Sequence, residues 1–210
     1  MNESFYVRDF VEDGKTDSER IESCLSQATC MSGNRTIIFD KRDWHIDRAI
    51  LLPSNTTVII DGCMIKQNNE VFDNIFRGDN LRIDEKNPFG APLEVHELEN
   101  IKILGKNGAK IVGCDVNSRG YHPVLNETQD MVGDFWGWRT LQISLSKCDG
   151  FEISGIEFTK TRCWAMSFDF CSEGYIHDIH IISNVKNGDG IDFRVGCHHC
   201  RVENVTGSTS

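Results

Sequence analysis

Apolar positions along the chain recur first with a helical period and then with a period of two. Ile21, Cys24, Leu25 and Ala28 fall on one face of a helix running from Asp17 to about Met31, with Thr16 or Asp17 as its cap. After it come short runs rich in β-formers, separated by Pro, Gly, Asn and Asp. They are Thr36-Ile37-Ile38-Phe39, Ala49-Ile50-Leu51-Leu52, Thr57-Val58-Ile59-Ile60 and Ile101-Lys102-Ile103-Leu104. The pattern predicts one helix capping the end of a β-structure.

From Leu141 the alternation becomes a repeat. Leu141-x-Ile143-x-Leu145 is followed by Trp164-x-Met166-x-Phe168 and then by Ile191-x-Phe193-x-Val195. Each is trailed by a second strand, at Ile153 and Ile156, at Ile176 and Ile179, and at Val202 and Val205. The two steps are 23 and 26 or 27 residues long. A unit this short cannot bury its own apolar face, so it must stack on copies of itself, and parallel coiling supplies that stack. Residues one step apart then lie above one another, which puts Cys148 and Cys171 in one column, with Cys197 close to its continuation.

The whole reads as a single domain. An N-terminal strand and capping helix occupy 1–35, early coils 36–112, a long interruption 113–138 and regular coils 139–210. The interruption holds Tyr121, His122, Asp130, Asp134, Phe135, Trp136 and Trp138. It is too long to be an idle connection, and its aromatics suit the apolar faces of sugar rings. Packing of the loop onto the coil accounts equally well for one of the tryptophans.

Charge narrows the partners. At 210 residues and a formal charge of −10, with no basic tract, the chain is unsuited to gripping nucleic-acid phosphates. No apolar run reaches bilayer length and the opening residues lack a signal-peptide pattern, so neither a membrane nor an export route is expected and the chain reads as cytoplasmic. Nine cysteines are then expected as reduced thiols, small apolar groups filling tight interior turns in preference to disulfide or redox roles. Cys197-His198-His199-Cys200 has C-x-x-C spacing, but a tetrahedral zinc site needs a second ligand pair. No metal and no cofactor is expected.

The residues that lengthen the second step fall in the loop from Asn184 to Gly190, and loops that break a solenoid's period tend to face its binding side. Asp189 and Asp192 straddle the start of the next strand. As residue types alone, Asn-Gly-Asp-Gly is an ordinary turn. Stacking puts Arg162 and Arg139 one and two steps below Asp189. Such a column could grip an acidic sugar through guanidinium forks, or be a plain surface ion-pair ladder.

Two segments carry a family resemblance. Asp13-Gly14-Lys15-Thr16-Asp17 before a capping helix resembles the opening motif of the pectate-lyase-like superfamily, which hydrolases, lyases and phage tailspikes share. Asn187-Gly188-Asp189-Gly190-Ile191-Asp192 is similar to the Asn-Thr-Asp-Gly-x-Asp segment of the polygalacturonase family, glycoside hydrolase family 28. Cys163-Trp164 and Val202-Glu203-Asn204-Val205 also sit where that family has like sequences. The likeness is weak over most of the chain and good over 139–210.

The resemblance implies an all-β fold, a right-handed single-stranded parallel β-helix with an N-terminal capping helix. It also implies an O-glycosyl hydrolase that cleaves a pectic or uronate-containing polysaccharide or oligosaccharide. Asp189 matches an active-site aspartate and Asn187 the motif's asparagine, while Gly188 replaces a threonine. Asp189 and Asp192 are the catalytic candidates, and Asn187, Arg162, Arg139, Trp138 and His122 the substrate-binding ones. The family continues with an Asp-Asp pair, a Gly-His-Gly and an Arg-x-Lys that have no counterpart before Ser210. Inverting hydrolysis needs two carboxyl groups, so the expectation is an N-terminal portion, weakly active or inactive alone. A last coil with an open strand edge would invite self-association. The alternatives are a polysaccharide lyase, often calcium-assisted, and a non-catalytic glycan-binding or tailspike-like coil.

Overall fold

The computed structural model describes residues 3–69, 71, 73–82, 93–94, 96–115, 120–122, 127–129, 141–185 and 188–209. Strand β1 (Glu3–Tyr6) leads through one 3-10 turn to helix α1 (Asp17–Thr29). Thr16 caps α1 reciprocally: its hydroxyl accepts from the Glu19 amide at 3.3 Å, and the Glu19 carboxylate accepts from the Thr16 amide at 2.7 Å. These bonds occupy amides that a first helical turn leaves without partners. Ile21, Cys24, Leu25 and Ala28 are buried, as their spacing predicts.

Asp17 ties the helix to the first coil. Its carboxylate takes the Arg42 guanidinium at 2.6 and 2.9 Å and the His45 amide at 2.9 Å. Burial alone would raise the Asp17 pKa, but these bonds outweigh it and hold the carboxyl below its usual value. The Asp-Gly-Lys-Thr-Asp segment is therefore an anchor of the fold.

The remaining strands, in chain order, are β2 (Arg35–Phe39), β3 (Trp44–Ile46), β4 (Ile50–Leu52), β5 (Thr56–Asp61), β6 (Met64–Gln67), β7 (Phe76–Gly78), β8 (Leu81–Arg82), β9 (Leu93–Glu94) and β10 (Leu98–Lys106). They continue with β11 (Lys110–Val112), β12 (Gly120–His122), β13 (Glu127–Gln129), β14 (Ile143–Ser146), β15 (Cys148–Ser154), β16 (Glu157–Thr159), β17 (Met166–Asp169), β18 (Ser172–Ile182), β19 (Ile191–Phe193) and β20 (Arg201–Ser208). Three walls of parallel strands result. The first runs β1, β2, β5, β10, β15, β18, β20; the second β3, β6, β11, β16 and the far end of β18; the third β4, β7, β14, β17, β19. Strands β8 with β9, and β12 with β13, form separate antiparallel pairs. The fold is all-β with parallel sheets and one long helix.

Each coil contributes a strand to each wall, and inward side chains stack in columns. Ile37, Val58, Ile103, Ile153, Ile176 and Val202 pair successively along the first wall. Ile50, Phe76, Ile143, Met166 and Ile191 do so along the third. Phe168 is sandwiched between Phe151 at 4.7 Å and Phe193 at 5.3 Å. All but the last members are buried, and each full side-chain burial contributes about 1.5–3 kcal/mol.

Left-handed residues turn the corner from the third wall to the first, and they repeat coil by coil. Lys147, Phe170 and Gly196 have φ of 48°, 53° and 69°; three residues on, Gly150, Glu173 and His199 have 75°, 50° and 54°. Between them sit Cys148, Cys171 and Cys197, stacked as the sequence predicts: Asp149 pairs with Ser172, and Ser172 with His198. The Cys171 thiol donates to the Leu145 carbonyl at 3.5 Å and the Cys197 thiol to the Phe168 carbonyl at 3.3 Å.

The register of the last coil differs from the expected one. Met166 pairs with Ile191 and Phe168 with Phe193, two residues away from the expected alignment of Trp164 with Ile191. A period-two pattern is unchanged by a two-residue slip, so alternation alone cannot fix this register.

Candidate functional site

The loop before β19 brings Asp189 to the start of the third wall's last strand. Its main-chain carbonyl accepts from the Ala165 amide at 2.9 Å, and the Gly190 carbonyl accepts from the Met166 amide at 3.0 Å. With this register the residue beneath Asp189 is Trp164. The Asp189 side chain is exposed, and Trp164 is half-buried.

Asp192 follows on β19 and pairs with Ser167 below it. Ser167 alternates with the inward Met166 and Phe168, so its column, Arg77, Ser144, Ser167 and Asp192, lies on the outer side. Asp192 is half-buried, and Ser144 and Ser167 are buried.

Beside that column Arg194 stands over Asp169. The Arg194 amide donates to the Phe168 carbonyl at 2.9 Å, and its Nη1 donates to Asp169 Oδ2 at 3.2 Å. The guanidinium carbon lies 5.6 Å from the centre of the Trp164 ring, within cation–π range. Two carboxylates, Asp169 and Asp192, a guanidinium and a tryptophan thus share the outer side of the third wall near its last strand.

Of the residues expected to hold substrate, Arg162 is placed two residues before Trp164. Its side chain is buried, with Nη1 donating to the Cys114 sulfur, and the column under Asp189 passes through Trp164. Asn187, Arg139 and Trp138 lie outside the described residues. His122 ends β12, which pairs with β13 within the 113–138 interruption. The sequence reading missed Trp164 beneath Asp189 and the grouping of Arg194 with Asp169 and Trp164, because finding them requires the observed register.

Cys197-His198-His199-Cys200 is a corner. His199 has φ of 54° and its Nδ1 lies 2.9 Å from Glu173, while the Cys200 thiol donates to the His198 carbonyl at 3.4 Å. Among the described residues no group of three or more His, Cys, Asp or Glu is arranged to hold a metal ion. Burial pushes the Cys24 and Cys148 thiols up to about 12 and Cys63 to about 11, and also raises Cys171 and Cys200. Such thiols are poor nucleophiles. Among the described residues no helix is long and apolar enough to cross a membrane.

No protein-family model matches the chain, and no curated protein matches it either. Among the solved structures that share the fold is a protein of Parabacteroides merdae described as a "putative glycosyl hydrolase", 16% identical, with a TM-score of 0.66. The match covers 99% of this chain and 88% of that one. At this identity the likeness is one of fold, a mostly β architecture with parallel sheets.

Proposed function

We propose that the protein is a glycoside hydrolase acting on a polysaccharide, built as a right-handed single-stranded parallel β-helix of the polygalacturonase kind. The observation that supports this reading is Asp192, on the outer side of the third wall with Arg194, Asp169 and Trp164 near it, and the exposed Asp189 three residues before it. Hydrolysis of a glycosidic bond needs one carboxyl group to protonate the leaving oxygen and another to activate water. Asp189, the exposed one, belongs to the carboxylates that activate water, and Asp192 is a further candidate of that set. Arg194, steadied by Asp169, supplies a fork for a sugar carboxylate or hydroxyl, and the Trp164 ring gives apolar area to a sugar face. The resemblance of residues 187–192 to the polygalacturonase motif supports a pectic or uronate-containing substrate.

Reducing-end release from polygalacturonate and rhamnogalacturonan tests the reading. Asp189→Asn is expected to lower turnover by about a hundred-fold or more, with stability within about 0.5 kcal/mol of wild type because the side chain is exposed. Undiminished turnover in Asp189→Asn removes that residue's role. Products with an ultraviolet-absorbing double bond, in place of new reducing ends alone, would make the protein a lyase.

A further inference from the structure

Phe170 is an exposed aromatic residue held in a backbone conformation that aromatic side chains rarely adopt. Its ring is half-exposed, at 50%, and its φ is 53°. Bulky residues are outliers in the left-handed region, where Gly and Asn are at home. The same corner is occupied by Lys147 one coil below and by Gly196 one coil above. Folding therefore does not call for an aromatic side chain at this place.

The coil above leaves room for that ring. A β-carbon on Gly196 would come 2.5 Å from Phe170 Cδ1, so only a glycine there lets the ring lie flat across the corner. The ring also sits next to the candidate site. Phe170 follows Asp169, whose carboxylate receives Arg194, and its amide donates to the Val195 carbonyl one residue beyond that arginine at 2.6 Å. A left-handed corner is common to these coils, but an exposed aromatic side chain in one is not, and residues held in sparsely populated conformations cluster at ligand-binding sites.

We propose that Phe170 is a sugar-binding platform, taking the apolar face of a pyranose ring at the edge of the site formed by Asp169, Arg194 and Trp164. Exposed aromatic rings bind the C–H face of a sugar while its hydroxyls turn to polar neighbours, and Arg194 supplies such a neighbour. The inference rests on the reading of the outer third wall as a glycan surface, but it concerns binding and not bond cleavage.

The test sets stability against binding in the same variant. Phe170→Asn places at the corner a residue that tolerates positive φ, and Phe170→Tyr keeps a ring. Each protein is run in native gels containing polygalacturonate, rhamnogalacturonan, arabinogalactan or xyloglucan, and its melting temperature is measured alongside. The expected result is retardation of wild type and Phe170→Tyr by at least one glycan. Phe170→Asn should lose that retardation at least about five-fold while melting within about 2 °C of wild type or above it. Equal retardation of Phe170→Asn and wild type overturns the platform, as does a wild type that none of the four glycans retards. Loss of turnover in Asp189→Asn alongside unaltered binding by Phe170→Asn would leave the hydrolase reading standing and remove this one.

Discussion

Arg194 reaches one coil down to Asp169, Nη1 to Oδ2 at 3.2 Å, and the same guanidinium faces the Trp164 ring. The pair is partly exposed, at 48% and 25%, so its direct contribution to stability is about 0–1 kcal/mol. Its effect is to aim a planar donor at the site. Asp169→Asn should thus leave the urea midpoint nearly unchanged and raise KM several-fold on any glycan that is turned over. A large loss of stability with an unaltered KM would make the pair a structural clasp.

The phenylalanine stack predicts a steep stability loss. Phe168 is fully buried, with rings on both sides, so Phe168→Ala leaves a cavity that neighbouring coils cannot close. Its expected cost is about 3–5 kcal/mol, against about 1.5 kcal/mol or less for Phe168→Leu. Chemical denaturation of both variants checks the difference. A cost for Phe168→Leu as large as that for Phe168→Ala would show that the stacked ring faces, and not filled volume, hold the coils together.

Thiol labelling should separate the cysteines by place in the coil. Cys30 is exposed, whereas Cys24, Cys63, Cys148 and Cys171 are buried. Raising a thiol from 9.0 to about 12, as burial does for Cys148, cuts its thiolate fraction near pH 8 by about a thousand-fold. Ellman's reagent on the native protein should titrate Cys30 quickly and those four only on unfolding. Fast native labelling of any of those four in Cys30→Ser, beyond what the half-buried Cys197 and Cys200 take up, would show that the coils open readily.

His177 gives stability a pH dependence with a definite sign. It stacks on Tyr175 at 4.1 Å, with Nδ1 at 2.7 Å from Asp178 and Nε2 at 3.5 Å from Glu152. Burial disfavours its protonated form, but the two carboxylates prevail and raise its pKa above the usual 6.5. A raised folded pKa gives stabilisation that is fully present below pH 6.5 and lost as pH rises through the folded value. Glu152, Asp178 and Glu203 are lowered from 4.5, 3.8 and 4.5, so their contribution is present above those values and lost as pH falls. The urea midpoint should therefore decline above about pH 6.5, and His177→Gln should flatten that decline. Identical slopes in the two proteins between pH 6 and 8 would exclude His177 as the cause.

Helix and stack were readable in the residues because their signals are local. Ile21, Cys24, Leu25 and Ala28 mark one helical face, and alternation marks strands such as Thr56–Asp61. The cysteine column was readable because small thiols recur at one corner. Strands of three or four residues, Trp44–Ile46 and Met64–Gln67 among them, are too short to announce themselves. The residue beneath Asp189 was hidden for another reason. Ile191 and Phe193 look alike to an alternating pattern, and backbone pairing decided between them. A two-residue choice exchanged Arg162 for Trp164 beneath the carboxylate.

Spacing across the last coils shows where length is absorbed. Thr159 pairs with Ile182 at a step of 23 residues, and Met166 pairs with Ile191 at a step of 25. The two extra residues lie wholly between those strands, and the pairing on either side is unbroken. Such a joint lets the wall stay in register while the segment that carries Asp189 is lengthened or shortened, as a door can be rehung without moving its frame. The loop's length can thus change on the outside of the coil with the buried columns left untouched.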